Sequence, residues 1–248
     1  MGHLVVSALK GGAVRWLGCG LIAMVLALSL LSGLRSPPQP RPHDRPFAIS
    51  LPPDRPLRLT VLGTSLSHDE LWTTELRRQM GACLPNGADV NVVARPGASV
   101  QWGLSQLNAV SATNPDLILI EFSINDADLR DGLSLAAAQR AHGILITGLQ
   151  AAQPQAALVL LTMSPAQGLR GLIRPRLAAH YRQYRTLAAH HDLGLIDLYP
   201  RWRNLPRSAR GLQRDGLHPE PEVATGVIVP ILMAELLRAL GKADCHAG

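Results

Sequence analysis

The feature that most constrains the fold is an alternation of short apolar runs and helical segments from residue 57 onward. We predict strands over residues 57–62, 90–94, 117–122, 157–162 and 195–198. Between and after them, helical patterns cover residues 70–84, 101–110, 133–152, 176–191 and 222–240, the last interrupted by a proline at position 230. Apolar strands separated by helices are typical of a parallel sheet covered on both faces. The sequence therefore predicts an α/β domain over residues 57–241, with about five parallel strands.

A second apolar feature lies near the N-terminus. Residues 16–34 form an uncharged, mostly apolar run that is long enough to cross a bilayer as a helix, and Lys10 and Arg15 precede it as in a secretion signal. Because small residues are poorly placed for cleavage, we favour an uncleaved signal anchor over a cleaved signal peptide. We therefore expect a cytoplasmic segment over residues 1–15, a transmembrane anchor over residues 16–34, and a domain in the periplasm or otherwise outside the cytoplasm.

Residues 35–56 contain eight prolines, which disfavour helix and favour extended polyproline geometry. We expect this stretch to be a semi-rigid linker that holds the domain away from the membrane. Residues 242–248 are expected to form a short tail.

Charge and cysteine content exclude several classes of function. The net charge is +6 and comes mostly from arginine, but no stripe of basic and aromatic residues accompanies it, so we expect no nucleic-acid partner. No cluster of His and Cys has the spacing of a metal site, and we expect neither a metal nor a cofactor. Cys83 and Cys245 could pair in an oxidising compartment, and the sequence leaves that open.

Three polar islands interrupt this pattern at informative places. Ser65 follows the first predicted strand, Asn125 follows the third, and Asp215 and His218 lie in a late loop. In parallel sheets, ligands bind at the carboxyl ends of the strands, which is where these islands should meet. A serine nucleophile, a histidine base and a carboxylate that orients the base are the parts that an acyl-transfer enzyme requires. Each island alone is more simply explained as an ordinary turn, and it is their joint order that points to a site.

Two more residues complete the expected site. The Asn125 amide could donate a hydrogen bond to a tetrahedral oxyanion, and the backbone N–H of Gly97 could donate another. Ser67 and Glu70 fit a helix capping box, which would place a helix N-terminus directly after Ser65.

The order of Ser65, Gly97, Asn125 and His218, each in its own block, resembles the SGNH (GDSL) hydrolase superfamily over residues 57–240. The resemblance implies a flavodoxin-like three-layer α/β/α sandwich and a serine esterase. It also implies Ser65 as nucleophile, His218 as base, Asp215 as its orienting acid, and an oxyanion hole formed by Ser65, Gly97 and Asn125. Two positions depart from the family pattern: Thr64 replaces an aspartate and Ser123 replaces a glycine.

The resemblance and the predicted anchor together suggest a short acyl group, most simply acetyl, on an extracytoplasmic polysaccharide such as an exopolysaccharide or cellulose. Expected partners are this acylated polymer or another ester, the membrane through the N-terminal helix, and a polysaccharide synthesis or secretion complex. An O-acetyltransferase and a non-catalytic carbohydrate-binding subunit remain alternatives. Trp72, Trp102 and Asp126 are candidate substrate-binding residues, although packing in the core or at the rim is the favoured role for both tryptophans. Arg170, Arg174 and Arg176 either line an entrance or lie on a solvated loop.

Overall fold

The computed structural model describes residues 40–242 and residue 245. The predicted cytoplasmic segment 1–15 and anchor 16–34 therefore lie outside the described residues. Within the described part of the chain, no helix combines the length and the apolar character needed to cross a bilayer. A compact unit begins at Pro40.

The predicted parallel sheet is confirmed. Its strands are β1 (Leu57–Gly63), β2 (Ala88–Ala94), β3 (Leu117–Ile120), β4 (Ala157–Thr162) and β5 (Gly194–Asp197), and every neighbouring pair is parallel. The spatial order β2-β1-β3-β4-β5 places β1 and β3 side by side. The chain therefore reverses its direction of strand addition between β1 and β3, and parallel α/β sheets bind ligands beside that point.

Nine α-helices and one short 3₁₀ helix connect these strands within residues 40–242. The helices are α1 (Leu71–Cys83), α2 (Val100–Leu104), α3 (Leu107–Ala112), α4 (Ser123–Asp126), α5 (Leu135–Ala152), α6 (Gly168–Leu172), α7 (Leu177–His191), α8 (Leu198–Asn204) and α9 (Pro221–Ala239); the 3₁₀ helix is Arg207–Arg210.

The sheet separates two hydrophobic cores, as a three-layer arrangement requires. On one face, Trp72 and Leu76 of α1 pack with Ile228 and Leu232 of α9 against β1 and β3. On the other face, side chains of α5 and α7, such as Leu145 and Tyr184, cover the opposite side of the same strands. Because the central strands are buried on both faces, they are apolar without alternation.

The short helices α4, α6 and α8 and the 3₁₀ helix were not predicted, and two of the predicted helices differ in form. The segment predicted as one helix over residues 101–110 forms two short helices, α2 and α3, and the Ser105 hydroxyl donates a hydrogen bond to the Trp102 carbonyl between them. Pro230 does not interrupt α9, which continues to Ala239. Pro230 lies on the exposed side of that helix, where solvent can satisfy the carbonyl that the proline leaves unpaired.

Residues 40–56 differ from the expected spacer, because they lie against the domain. Arg45 pairs with Leu195 in an antiparallel bridge along β5, and the Ile49 N–H donates to the Ala239 carbonyl at 3.1 Å. Asp44 accepts a hydrogen bond from the Asp197 N–H at 2.8 Å. An exposed edge strand invites pairing with other chains, and this segment covers the edge of β5.

A disulfide joins Cys83 at the end of α1 to Cys245, with the two Cα atoms 5.1 Å apart. It answers the question that the sequence left open. The bond ties the C-terminal tail to the helix that follows the Ser65 turn.

Candidate active site

Three side chains from opposite ends of the sequence meet at the carboxyl end of β1. His218 Nε2 lies 2.8 Å from Ser65 Oγ, and His218 Nδ1 lies 2.6 Å from Asp215 Oδ2. Ser65 and His218 are 153 positions apart in sequence. A hydroxyl, an imidazole and a carboxylate in this order can transfer the serine proton to the imidazole and stabilise the cation that forms.

The loop that carries the histidine is organised by its own aspartate. Asp215 Oδ1 accepts hydrogen bonds from the backbone N–H groups of Leu217 at 2.9 Å and His218 at 3.1 Å. Gly216 has a φ of +73°, and an added Cβ there would lie 2.6 Å from the Gln167 carbonyl oxygen. Partial burial tends to raise the pKa of Asp215, but the bonds from Leu217 and His218 outweigh it, so the pKa lies below its usual value. The carboxylate therefore stays ionised and holds the imidazole.

A cavity of about 460 Å³ opens at this triad and includes the predicted oxyanion residues. Ser65, Gly97, Asn125 and His218 all line it. Gly97 has a φ of +74° and no atom within 4 Å of where a Cβ would lie, so the backbone conformation favours glycine there and the side facing the cavity is open. A substrate carbonyl in this cavity could approach both the serine and the two donors.

The orientation of the Asn125 amide is fixed by its neighbours. Its Nδ2 donates to the Ala98 carbonyl at 3.0 Å, and its Oδ1 accepts from Arg174 at 3.4 Å. An amide nitrogen carries two hydrogens, so one N–H remains for an oxyanion after the bond to Ala98. The residue is 8% exposed, so water competes weakly for that donor.

Arg174, expected either to line an entrance or to lie on a solvated loop, lines the cavity, but its bonds to the rest of the site could not be predicted from the sequence. Its guanidinium is buried, pairs with Asp128 at 2.8 Å, and donates to the Ile124 carbonyl at 2.7 Å. The Asp128 carboxylate also accepts hydrogen bonds from Arg130. These bonds, together with the positive charge of Arg174, lower the pKa of Asp128 to about 2. The pair therefore holds the short helix α4, which presents Asn125.

Glu121, the residue after β3, is a second site residue that no sequence pattern indicates. Its carboxylate is buried behind the nucleophile turn and accepts hydrogen bonds from the Thr64 N–H at 2.6 Å and the Ser67 hydroxyl at 2.8 Å. The Thr64 hydroxyl also donates to it at 3.0 Å. A Cβ on Gly63 would lie 2.2 Å from Glu121 Oε1, so only glycine fits at position 63. Burial raises the pKa of Glu121 to about 7 despite these donors.

The predicted capping box is wrong. The helix begins at Leu71 with Glu70 as N-cap, and no side chain caps it. The Ser67 hydroxyl instead donates to Glu121. Ser65 therefore lies in a turn, closed by hydrogen bonds from the Ser67 and His68 N–H groups to the Thr64 carbonyl, and not at a helix N-terminus. A buried carboxylate needs several donors to offset the loss of water, and the Ser67 hydroxyl adds to the two that Thr64 supplies.

The structure does not bring the other candidate residues to the cavity. Trp72 is fully buried in the core and donates to the Leu66 carbonyl at 2.9 Å. Trp102 packs edge-on against Phe122 and beneath Arg95. Asp126 is fully buried, accepting from the Val100 N–H at 3.0 Å and lying 2.8 Å from His142 Nε2. Trp72 and Asp126 are thus buried away from the cavity, and Trp102, which is half-buried, does not line it.

The two departures from the family pattern have different consequences. Thr64 keeps a polar side chain whose hydroxyl bonds Glu121, so the turn retains a link to β3 without an aspartate. Ser123 is buried and does not line the cavity, so its side chain does not narrow the site. No cluster of three or more His, Cys, Asp or Glu side chains in the described chain has the arrangement of a metal site.

Comparison with known proteins agrees with this geometry. The model of the GDSL-like Lipase/Acylhydrolase family matches residues 59–224, and the chain belongs to that family. It is thus a serine hydrolase that acts on carboxylic ester bonds. No curated protein matches the chain.

Solved structures show the same fold at low sequence identity. The lipase/acylhydrolase from Enterococcus faecalis has a TM-score of 0.63 and 22% identity, covering 72% of this chain and 95% of that one. A catalytic mutant of Axe2, an acetylxylan esterase from Geobacillus stearothermophilus, has a TM-score of 0.59 and 16% identity over 73% of this chain and 94% of that one. A GDSL-like lipase from Bacteroides thetaiotaomicron has a TM-score of 0.60 and 14% identity, covering 74% and 89% of the two chains.

Proposed function

We propose that this protein removes a short acyl group, most simply acetyl, from a polysaccharide outside the cytoplasm, with Ser65, His218 and Asp215 as its catalytic triad. The observation that carries the proposal is the continuous contact from Ser65 Oγ through the imidazole to the Asp215 carboxylate. That arrangement opens into a cavity lined by the three residues that would donate to the oxyanion, Ser65, Gly97 and Asn125.

In the first half of the reaction, Ser65 Oγ attacks the ester carbonyl carbon and its proton passes to His218 Nε2. The carbonyl oxygen becomes an oxyanion, stabilised by the N–H groups of Ser65 and Gly97 and by the Asn125 amide. Collapse of this intermediate breaks the bond to the sugar oxygen, which takes the proton from His218. The acyl group is then bonded to Ser65.

In the second half, water attacks the acyl carbon and gives a proton to His218 Nε2. The tetrahedral intermediate uses the same three donors. Its collapse releases the carboxylic acid, returns the proton to Ser65 Oγ and restores the starting enzyme. Asp215 remains ionised throughout, since its role is to orient the imidazole and stabilise its cation.

Three observations support the polymer and the location. The acetylxylan esterase from Geobacillus stearothermophilus shares the fold and, by its name, deacetylates a polysaccharide. The basic and apolar N-terminal residues support export with a membrane anchor over residues 16–34. The Cys83–Cys245 disulfide suits an oxidising compartment, because disulfides are rare in reducing cytoplasm.

Hydrolysis of p-nitrophenyl acetate and release of acetate from acetylated xylan test the proposal. Wild type should hydrolyse both, and Ser65→Ala should reduce both rates to background. Ser105→Ala is a matched control, because that serine is exposed at the end of α2 and outside the cavity. Equal rates for wild type and Ser65→Ala would contradict the proposed catalytic triad. Activity on p-nitrophenyl acetate without activity on acetylated xylan would contradict a polysaccharide substrate.

A further inference from the structure

A second cavity, of about 400 Å³, lies beside the catalytic loop. Residues 165–168, which follow β4, form one wall, and Tyr199, Arg203, Arg207 and Arg210 form the other. We refer to it as the arginine cavity. The Gln167 N–H donates to the Gly216 carbonyl at 2.7 Å, so its wall is bonded directly to the loop of Asp215 and His218. Both cavities therefore open at the carboxyl end of the sheet.

The positive charges of the arginine cavity are not neutralised. Arg203 donates to the Tyr199 hydroxyl at 3.2 Å, and Arg210 donates to the Arg203 carbonyl at 2.9 Å. Both acceptors are neutral. Within residues 40–242 and 245, no carboxylate lies within ion-pair distance of Arg203, Arg207 or Arg210.

A neighbour on the same helix shows that this lack of compensation is local. Arg201, two residues before Arg203 on α8, pairs with Asp44 at 2.5 Å. Burial lowers the pKa of Arg210, and the positive charges of Arg203 and Arg207 lower it further. An anion bound between these guanidinium groups would relieve that repulsion, so the cavity is electrostatically prepared for one.

Positive charge continues from the arginine cavity to the catalytic one. The short helix α6 lies between them: its first residue, Gly168, lines the arginine cavity, and Arg170 lines the catalytic cavity. Arg130 also lines the catalytic cavity. A ligand that spans both cavities would thus pass along arginine side chains.

We propose that the arginine cavity binds the carboxylate of a uronic acid unit in the polymer whose ester is cleaved at Ser65, so that the substrate is an acidic polysaccharide. This inference rests on the proposed function. A guanidinium group matches a planar carboxylate with two parallel hydrogen bonds. The Tyr199 ring also lines the cavity, with the Arg203 guanidinium 5.8 Å from its centroid, and helps to position that guanidinium.

Calorimetric titration of the full chain in detergent tests the site without requiring turnover. The Ser65→Ala variant should bind an unesterified galacturonate tetramer and bind neutral cellotetraose at least tenfold more weakly. Adding Arg203→Gln and Arg207→Gln should weaken tetramer binding at least tenfold, and raising the salt concentration should weaken it as well. Arg182→Gln is the matched control, since that arginine is exposed on α7 and lies outside both cavities. It should change the affinity less than twofold.

Several outcomes would overturn the inference: no tetramer binding, equal binding of cellotetraose, or unchanged binding after the two substitutions. Thermal unfolding of the double variant provides the folding control. Its midpoint should stay close to that of the Ser65→Ala variant, because both arginine side chains are exposed. Leu169 and Leu172 are 80% and 73% exposed beside Arg170, and exposed apolar residues next to a basic one can also bind an anionic membrane. Binding to phosphatidylglycerol vesicles is therefore measured as well. If the protein bound these vesicles through the arginines and did not bind the tetramer, the ligand of the arginine cavity would be an anionic lipid surface and not a uronic acid. Because Ser65→Ala is inactive by design, a failure here is separate from a failure of esterase activity.

Discussion

The turn that carries Ser65 and the loop that carries His218 are built in opposite ways. Ser65 lies in a buried turn held by the Glu121 carboxylate. Glu121 is 57 positions from Thr64, the turn residue that it bonds. His218 lies in a partly exposed loop held by Asp215, only three positions away. One half of the site depends on tertiary packing, and the other depends on a local hydrogen-bonding motif.

This difference predicts different responses to mutation. A carboxylate in an exposed loop contributes little to the free energy of unfolding but orients the base, so its removal should mainly reduce turnover. A buried carboxylate behind the nucleophile is part of the core, so its removal should change stability and its pH dependence. Activity and unfolding measurements on the same variants therefore separate the two halves.

Among the substitutions that compare these two regions, Asp215→Asn should have the largest effect on activity. The amide can present its N–H to the imidazole and favour the wrong tautomer, so turnover of p-nitrophenyl acetate should fall by about 10⁴-fold. The free energy of unfolding should change by less than about 1 kcal/mol, because the loop is partly exposed. Asp89→Asn, an exposed substitution on β2, is the control. A small stability loss with an unchanged rate would remove Asp215 from the triad.

Asn125→Ala should have the next largest effect. Loss of one oxyanion donor should lower kcat by about 10²–10³-fold, since the donor acts mainly in the transition state. The KM should change much less. Asn108→Ala, on the exposed side of α3, is the matched control. A raised KM with an unchanged kcat would instead assign Asn125 to ground-state binding.

Glu121→Gln should have the smallest effect on activity and the clearest effect on the pH dependence of stability. The folded-state pKa of Glu121 is raised to about 7 from 4.5, so the native state holds a proton that the unfolded state loses first. Stability from this group is present below about pH 4.5 and is lost as the pH rises through 7, by about 3 kcal/mol in total.

Urea unfolding at pH 5 and pH 8 measures this contribution. The Gln variant should lose less stability over the interval than wild type, and its turnover should stay within about tenfold of wild type because the amide oxygen still accepts from Thr64. Glu222→Gln, exposed in the first turn of α9, should leave the pH dependence as in wild type. Identical pH dependence in all three proteins would show that Glu121 does not titrate in this range.

The same contrast explains what the sequence could predict. The strands were readable because the central ones are buried on both faces and carry uninterrupted apolar residues. The aspartate and histidine were readable because they are three residues apart. The roles of Glu121 and Arg174 were not, because a charged residue at the end of a strand or in a loop is usually solvated. Only the fold shows that each has buried donors or acceptors from distant segments.

Ser67 and residues 40–56 illustrate the same limit. The local motif at Ser67 predicted a helix cap, but a buried carboxylate from β3 takes its hydroxyl. The prolines predicted an extended segment, but not that this segment would lie along β5. Local propensity describes conformation well and contact partners poorly, since partners are selected by tertiary packing.

The central claim is that His218 activates Ser65, and covalent labelling tests it most directly. A fluorophosphonate probe incubated with wild type should modify Ser65, as located by peptide mass spectrometry, and His218→Ala should abolish the labelling while the protein remains folded. His68→Ala, with an imidazole also close to Ser65 in sequence, should be labelled like wild type. Persistent labelling of Ser65 in His218→Ala, or labelling of another serine in wild type, would contradict the account.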